Sequence, residues 1–582
     1  MKSKTNIQKI FNNLFKVQIL LNITSCFCNI ANGYIAGNFI DNIAVSCNSL
    51  IVPYNMTISA IAYIYSSASE IICGKYLGVG DKKSLNKAFT LVITLAIVTA
   101  VVFTSLSLMF PSTIVTFLGA NQEILDAATS YFYAYIIGIF AYILMPVLII
   151  FLNIENEGNY VTKSVILLAV LYAIFGFLFA KVLKLSYFGL GLTNSISQII
   201  TLLFLFIKLY KNRKQIYFQK IEFDFSFIKR VFKLGLPAGY TGVLLSIRNI
   251  VFNNILISSA GVIALSSYSI MLSGITVQDA IITSTLNTSM IIVSLCVGER
   301  NKQELLELIR HIFTYVIPVN AVFVTLEIIF SKQIASIYCL DTNTLSLATD
   351  AIRLYLIATI FEICNDCLIA IYTAFEDFKF VNFFNIMHSF AFHVVFVLIM
   401  NYFIGSYAVY GSFVFAEICS LLIYVIYSTI KNKHLPKTYY DLVIINKEFD
   451  NVTKYYATIK NYSEITNVSK SINDFCTENN VNKRNSYITG LCAEEMITNI
   501  FDHGFTKKNI KDKRVDVFVF INKNEVSLRI RDNSIAFNPE ARSIIFNPED
   551  PCKNIGLRIV KNISKEMIYQ NLFGLNNTII KI

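Results

Sequence analysis

The chain has 582 residues, of which 55% are hydrophobic and only 15% are charged, and its mean hydropathy is +0.57. This composition excludes an ordinary soluble globular protein. The formal charge of +11 does not indicate nucleic-acid binding, because the cations lie mostly in loops between apolar runs, as they do in proteins oriented in a membrane.

Apolar runs of membrane-spanning length follow one another up to residue 435. One crossing needs roughly 20 apolar residues, so the runs predict a polytopic protein with twelve transmembrane helices. The predicted helices lie near residues 14–39, 43–67, 89–110, 131–153, 161–181, 189–210, 237–258, 264–295, 311–330, 352–375, 381–403 and 407–430.

Basic residues are concentrated in alternate loops. The loops around Lys82, Lys211, Arg300 and Lys431 carry many cations, whereas the loops between them carry few. The positive-inside rule therefore predicts that the N-terminus and the segment after the last helix both face the cytoplasm. We expect a multi-pass protein of the bacterial plasma (inner) membrane, surrounded by the lipid bilayer.

The membrane part contains an internal repeat. The segment 128–135 recurs in character as 348–355, and 79–81 recurs as 297–299, both at an offset of about 220 residues. Two halves at a constant offset are typical of transporters with a cavity between repeats. The sequence predicts one six-helix half in residues 1–220 and a second in residues 221–435.

Three short motifs in this part are similar to those of the multidrug and toxic-compound extrusion (MATE) family. They are the first-helix run 31–37, the turn Gly74 to Asp81 after the second helix, and Leu234 to Ala238 at the seventh helix. The resemblance covers residues 10–430. It implies a V-shaped fold of twelve helices that exports small amphipathic cations in exchange for Na⁺ or H⁺. The family usually has Asp where this chain has Asn32, whose amide cannot carry a titrating proton but can offer a carbonyl oxygen to Na⁺.

Ionisable side chains at membrane depth are costly and usually functional. Glu362 and Asp366 are four residues apart and therefore share one face of the tenth helix. The alternative is a structural salt bridge from Arg248 to this helix. His388 and His393 are expected to be hydrogen-bonded core residues. The candidate substrate and ion pathway comprises Asn32, Arg248, Asp279, Glu362, Asp366 and Glu417.

Residues 440–582 have the polarity of a soluble domain. The pattern predicts a strand at 442–445, helices at 468–475 and 485–501, and a hairpin of strands 515–521 and 526–530. A helix after Gly556 and strands at 567–569 and 578–582 complete a predicted α/β sandwich.

Several polar residues of this domain suit a nucleotide. Glu495 and Asn499 lie one helical turn apart, and their oxygens suit Mg²⁺. Asp532 ends a strand, where its carboxylate could accept an adenine amino group. Asn554 to Gly556 opens a helix whose free N–H groups favour phosphate.

The same segments resemble the ATP-binding boxes of the GHKL (histidine kinase-like, or Bergerat) ATPases, most closely the anti-sigma-factor serine kinases. The similar segments are 493–499 with 503–505, 530–539, 553–560 and 577–578. The resemblance implies that ATP and Mg²⁺ bind, with Glu495 as general base and Asn499 as the metal ligand. It places the nucleotide against Asp532, Asn533, Asn554, Gly556 and Thr578.

This site departs from the GHKL pattern at three glycines, which are replaced by Ser534, Ala536 and Asn554. Glycine permits close backbone approach and positive φ, so its loss weakens fast catalysis more than nucleotide binding. The domain is thus a candidate serine kinase or ATPase, or a nucleotide sensor.

The sequence therefore predicts a MATE-type antiporter with a cytoplasmic ATP-binding regulatory domain. One alternative is a receptor whose GHKL domain phosphorylates serine or threonine on a cytoplasmic partner protein. Another is a lipid-carrier flippase of the same superfamily, which would need a more cationic cavity than Arg248 alone provides.

Overall fold

The computed structural model describes residues 6–582 except 121, 123, 212–215, 221–223, 339–341, 446–452, 507–509, 511, 523–524 and 540–554. The membrane part of the described chain is built from helices α1–α17. Their bounds are α1 Asn6–Ile35, α2 Asn42–Val79, α3 Lys82–Met109, α4 Pro111–Phe117, α5 Leu125–Ile136, α6 Ile139–Ile154, α7 Gly158–Phe177, α8 Ser186–Lys211, α9 Phe225–Gly274, α10 Thr276–Gly298, α11 Lys302–His311, α12 Ile317–Ile329, α13 Ser331–Ser336, α14 Thr342–Ala374, α15 Phe378–Ile386, α16 Phe392–Ile404 and α17 Tyr407–Asn432.

Twelve segments of the described chain are helical, long and apolar enough to cross a membrane, which confirms the predicted number. Three of them join two helices each, namely α5 with α6, α11 with α12, and α15 with α16. Several helices extend beyond their apolar runs into polar sequence. For example, α3 begins at Lys82 because Asp81 accepts a hydrogen bond from the backbone N–H of Ser84, at 2.9 Å.

The predicted end of the seventh helix near residue 258 agrees with the membrane span Phe225–Ser259, and Gly261 beyond it has a φ of 66°, but the predicted start of the eighth helix at 264 is wrong. Helix α9 continues to Gly274, and the chain turns at Ile275, inside the predicted helix 264–295. The continuation is apolar and packs into the second half, where Ala264 and Met271 are fully buried. The hydroxyl of Tyr410 donates to the Ala264 carbonyl at 3.1 Å, which holds this extension against α17.

The two halves, α1–α8 and α9–α17, meet along α1, α2, α9 and α10. At the ends of α2 and α10 the backbones approach very closely. A Cβ atom on Gly78 would lie 2.6 Å from the backbone nitrogen of Glu299, and one on Gly298 would lie 2.8 Å from the Cα of Lys75. Glycine is therefore required for this contact. We call this end of the bundle the sheet side, because the C-terminal sheet lies there.

The C-terminal part has five strands and three helices among the described residues. They are β1 Thr453–Ile459, α18 Ile465–Glu478, α19 Lys483–Asn499, β2 Val515–Asn522, β3 Glu525–Asp532, α20 Ile555–Ile563, β4 Glu566–Leu572 and β5 Leu575–Lys581. The sheet order is β1-β2-β3-β5-β4, and each neighbouring pair is antiparallel. The helices cover one face, where Leu528, Ile530 and Met496 share one apolar core.

The predicted hairpin, the helices and the two closing strands of this part are confirmed, but the predicted strand at 442–445 is wrong. Residues Tyr439–Leu442 form a single 3₁₀ turn with a capping box between Thr438 and Asp441. The hydroxyl of Tyr372 on α14 donates to the Leu442 carbonyl at 2.8 Å, so this segment is bonded to the helix bundle instead of the sheet. The first strand, β1, was not predicted.

The second face of the sheet lies on the helix bundle. The β4–β5 turn enters the apolar core of the membrane part through Phe573 and Leu575. Ile579 and Ile568 lie over Gly80, whose φ of 81° turns the chain between α2 and α3. The sheet is thus sandwiched between its own helices and the membrane part.

Candidate functional sites

The second half brings acidic side chains from three helices together. Asp279 lies in the first turn of α10, Glu362 and Asp366 on one face of α14, and Glu417 on α17. The charges that act on Glu362 come from the other three carboxyl groups and from Arg248. The structure therefore brings five of the six predicted pathway residues into one electrostatic cluster, which we call the acidic cluster.

Glu417 is the most buried member of the acidic cluster. Its carboxylate accepts a hydrogen bond from the Asn365 amide at 2.8 Å and lies 3.0 Å from Nε2 of His388. A buried carboxylate is tolerated when it is paired in this way. His388 was expected to be a hydrogen-bonded core residue, and its hydrogen bond to Glu417 agrees with that expectation.

Asp279 and Arg248 lie at the edge of the acidic cluster. Asp279 accepts a hydrogen bond from the hydroxyl of Tyr355 at 3.2 Å. The Arg248 guanidinium lies over the rings of Phe252 and Phe413, at 5.7 and 5.2 Å from their centroids. Among the described residues no carboxylate forms an ion pair with Arg248, so the alternative of a structural salt bridge to α14 is wrong. His393 is buried and packs edge-on against Phe413, as expected of a core residue, but neither of its ring nitrogens has a hydrogen-bond partner among the described residues.

The first half has an uncharged counterpart around Asn32. The Asn32 amide donates to Oδ1 of Asn48 at 2.6 Å and lies 3.5 Å from the Tyr131 hydroxyl. The Oδ1 atom of Asn32 is buried and has no hydrogen-bond partner among the described residues. This oxygen suits a cation such as Na⁺, but the three side chains offer no carboxylate. Asn48 and Tyr131 were not predicted, because their approach depends on helix packing.

In the C-terminal part, Glu495, Asn499 and Gly556 lie close to one another. A Cβ atom on Gly556 would lie 3.2 Å from the carboxyl carbon of Glu495 and 3.6 Å from Nδ2 of Asn499. The Asn499 amide donates to the Glu495 carbonyl at 2.7 Å, which fixes its orientation. The start of α20 therefore lies against the carboxylate and amide of α19, as an Mg²⁺-phosphate site would need.

Asp532 lies at the end of β3 and is almost fully buried. Its Oδ1 accepts hydrogen bonds from the backbone N–H of Ser534 and from the Asn576 amide, both at 2.9 Å. Burial raises the pKa of this carboxyl group, against the hydrogen bonds that lower it. Both of these bonds end on Oδ1. Asn576, one residue before the predicted 577–578 motif, was missed.

The structure describes two of the three other residues that were predicted to bind the nucleotide. Asn533 accepts from the backbone N–H of Arg514 at 2.9 Å and donates to the Asp512 carbonyl at 2.7 Å, so it stabilises the loop before β2. Thr578 is buried on β5, paired with Ile530 on the helix-covered face. Asn554 lies outside the described residues.

A family model described as MatE matches residues 18–178 and 237–399, which is more than half of the chain. No curated protein matches the chain.

Solved structures resemble the chain in fold. One is described as an outward-facing conformation of a multidrug resistance MATE family transporter of the MOP superfamily. It is 17% identical, with 74% of this chain and 99% of that chain covered and a TM-score of 0.67. Another is a MOP superfamily transporter from Pyrococcus furiosus, described by a binding pocket of reverse polarity that suggests a different function. It is 18% identical, with 74% and 100% covered and a TM-score of 0.65. At these identities the likeness concerns the fold alone.

Proposed function

This chain belongs to the MATE family of membrane transporters, and we propose that it is a secondary active exporter of small organic or amphipathic cations. The observation that supports this substrate class is the acidic cluster of the second half. Four carboxyl groups lie there, with Arg248 and His388 as basic neighbours. Intramembrane charges of one sign favour a ligand of the opposite sign. The same excess disfavours the flippase alternative, because a lipid-linked phosphate would be repelled.

The coupling ion in this proposal is a proton that is taken up in the second half. Asp279, Glu362, Asp366 and Glu417 can each hold a proton or a cation, so the arrival of one favours the release of the other. Asn32 cannot take part in such an exchange, because an amide does not titrate. Na⁺ coupling would instead use the unpartnered Oδ1 of Asn32 together with Asn48.

The proposed orientation of the protein in the membrane is based on the positions of its basic residues. Lys75, Lys82, Arg230 and Lys431 all lie at helix ends on the sheet side. We infer that the sheet side faces the cytoplasm of a bacterial cell, in which case the C-terminal part is exposed to cellular nucleotides.

For the C-terminal part we propose ATP binding with a regulatory role. Asn499 and Glu495 would hold Mg²⁺, and the N–H groups at the start of α20 would hold phosphate. The carboxylate of Asp532 would accept a hydrogen bond from the adenine amino group. The support is that these residues, although far apart in sequence, lie on the same helix-covered face of one sheet. Bound ATP would supply a signal of cellular energy state.

Transport by purified full-length protein in lipid vesicles tests the proposal. A fluorescent organic cation should move when a pH gradient is imposed and stay in place when only a Na⁺ gradient is imposed. Movement driven only by Na⁺ would assign coupling to the first half instead. An absence of movement under either gradient, with an intact protein, would contradict the exporter.

A further inference from the structure

Strand β3 presents two arginines to the helix bundle. Side chains alternate along a strand, so Leu528, Ile530 and Asp532 face the helices of the sheet while Arg529 and Arg531 face the opposite way. Both arginines are buried, Arg531 completely. A buried guanidinium requires close anionic or polar partners.

Arg531 is bonded to the second half of the transporter. Its Nη1 lies 2.7 Å from both carboxylate oxygens of Glu304, in the first turn of α11, and its Nη2 donates to Glu299, directly after α10. The neighbouring carboxylates raise the pKa of Arg531, although burial opposes them. Arg529 also lies 2.7 Å from Glu299. Two arginines therefore neutralise two carboxylates in one buried group.

Arg529 is bonded to the first half as well. Its Nη2 donates to the backbone carbonyl of Gly78, in the last turn of α2. One guanidinium thus contacts α2 of the first half and the end of α10 of the second half. A further bond to the first half runs from the amide of Asn6, on α1, to Asp516 on β2, at 2.7 Å.

The same helix ends form the closed sheet side of the bundle. Helix α2 touches α10 at Gly78 and Gly298, where the backbones are too close to admit a side chain. A second bond between the halves runs from Lys75 to Glu376, at 2.6 Å, and Arg230 reaches the same carboxylate at 3.0 Å. Alternating access requires the halves to separate here when the site opens to this side.

We propose that the C-terminal sheet is a conformational clamp on the sheet side, in which Arg531 anchors the sheet to the second half and Arg529 joins it to both halves. When α2 separates from α10, Arg529 must lose its bond to Gly78 or its ion pair with Glu299, unless the sheet undocks. The docked sheet therefore stabilises the state that is closed on the sheet side and slows transport. The clamp does not depend on whether the domain binds ATP.

The experiment measures the distance between the halves in full-length protein reconstituted in lipid. Spin labels at Lys83 and Lys379, both exposed and on opposite halves of the sheet side, report separation by electron-electron resonance. The double variant R529M/R531M should shift the distribution to longer distances and raise cation transport severalfold. K470Q is the control, since it removes an exposed cation of α18, which lies among the helices on the opposite side of the sheet from the bundle.

A second variant covers the case in which the double variant does not fold. Removal of residues 440–582 eliminates the clamp and exposes Glu299 and Glu304 to water, so no charge is left buried. A solved relative is covered over 99% of its length by 74% of this chain, so a bundle of this fold exists without the remaining segment. The truncated protein should show the same longer distances. An unchanged distance distribution in the truncated protein would overturn the clamp.

Discussion

The carboxylate of Glu417 lies 3.0 Å from Nε2 of His388, where α17 crosses the π-helical turn between α15 and α16. This pair stands beside Glu362 and Asp366, so a proton or a cation that enters the acidic cluster meets several acceptors at once. The first half offers only uncharged groups at Asn32. The two halves therefore have different chemistry although they repeat the same architecture.

Neutralising the shared face of α14 should abolish exchange. We expect the double variant E362Q/D366N to lower the transport rate at least about tenfold, because it removes two of the charges that attract a cation into the bilayer. D350N is the matched control on the same helix, since Asp350 lies outside the cluster and pairs with Arg353. N32A should reduce transport less. The opposite ranking would contradict a second-half pathway.

The variant N32D tests whether the first-half site can still hold a cation. Its carboxylate would replace the unpartnered Oδ1 of Asn32 and could exchange a proton, which the amide cannot. We expect a pH-dependent component of transport that is lost on acidification, when the new carboxyl group is protonated and no longer holds a cation. N48A in the same background should remove that component, since it deletes the neighbouring oxygen. A pH profile identical to that of the wild type would indicate that the first-half site does not hold a cation.

Removing the Asn499 amide should uncouple ATP binding from Mg²⁺. In full-length protein, calorimetry with and without Mg²⁺ should show a metal-dependent affinity that disappears in N499A. The control N467A changes an exposed asparagine on α18, away from α20, and should bind as the wild type does. Millimolar ATP without any heat of binding would make the domain a docking module only.

Adenine recognition should depend on pH through Asp532. Burial raises the pKa of this carboxyl group, so acidification protonates it earlier than an exposed aspartate and removes the acceptor for the adenine amino group. ATP affinity should therefore fall as the pH decreases, while the preference for ATP over GTP is lost. The variant D532N should show only a weak preference for ATP over GTP at every pH, because the amide that replaces the carboxylate is partly a donor. A wild-type preference that does not change with pH would argue against this role.

A substitution of Glu495 distinguishes a nucleotide sensor from a protein kinase. A general base is needed to take a proton from a serine hydroxyl during phosphoryl transfer, but not to hold a nucleotide. We expect E495A to bind ATP and to leave the effect of ATP on transport intact, since Ser534 and Ala536 replace two of the glycines of the GHKL pattern. Phosphate transfer to a partner protein that is lost in E495A, with ATP binding retained, would favour the receptor-kinase alternative.

The local features of this protein were predictable, and its long-range contacts were not. Membrane spans depend on the composition of about 20 consecutive residues, and the common face of Glu362 and Asp366 follows from helical spacing. The contact of Glu417 with His388 depends on how helices cross. The same is true of Asn32 with Asn48, and no spacing rule gives a crossing angle.

The wrong strand prediction at 442–445 and the unpredicted docking of the sheet on the bundle have the same origin. The apolar segment 442–445 has the composition of a strand, but its backbone is bonded to Tyr372 of the bundle. The alternation of Arg529 and Arg531 with apolar residues indicates a strand with one face in water. The structure covers that face with the membrane helices, and a single-sequence pattern does not distinguish water from a charged protein surface.

The burial of Phe573 and Leu575 in the bundle has a consequence for biogenesis. The β4–β5 hairpin is synthesised after helices α1–α17, and its apolar turn can pack against them only once they have been inserted and assembled. Until then, Arg529 and Arg531 lack their carboxylate partners and the hairpin turn is exposed to water. The tail of the nascent chain can therefore reach its final structure only on a correctly assembled bundle. A misinserted protein would display an apolar hairpin that proteases and chaperones can recognise.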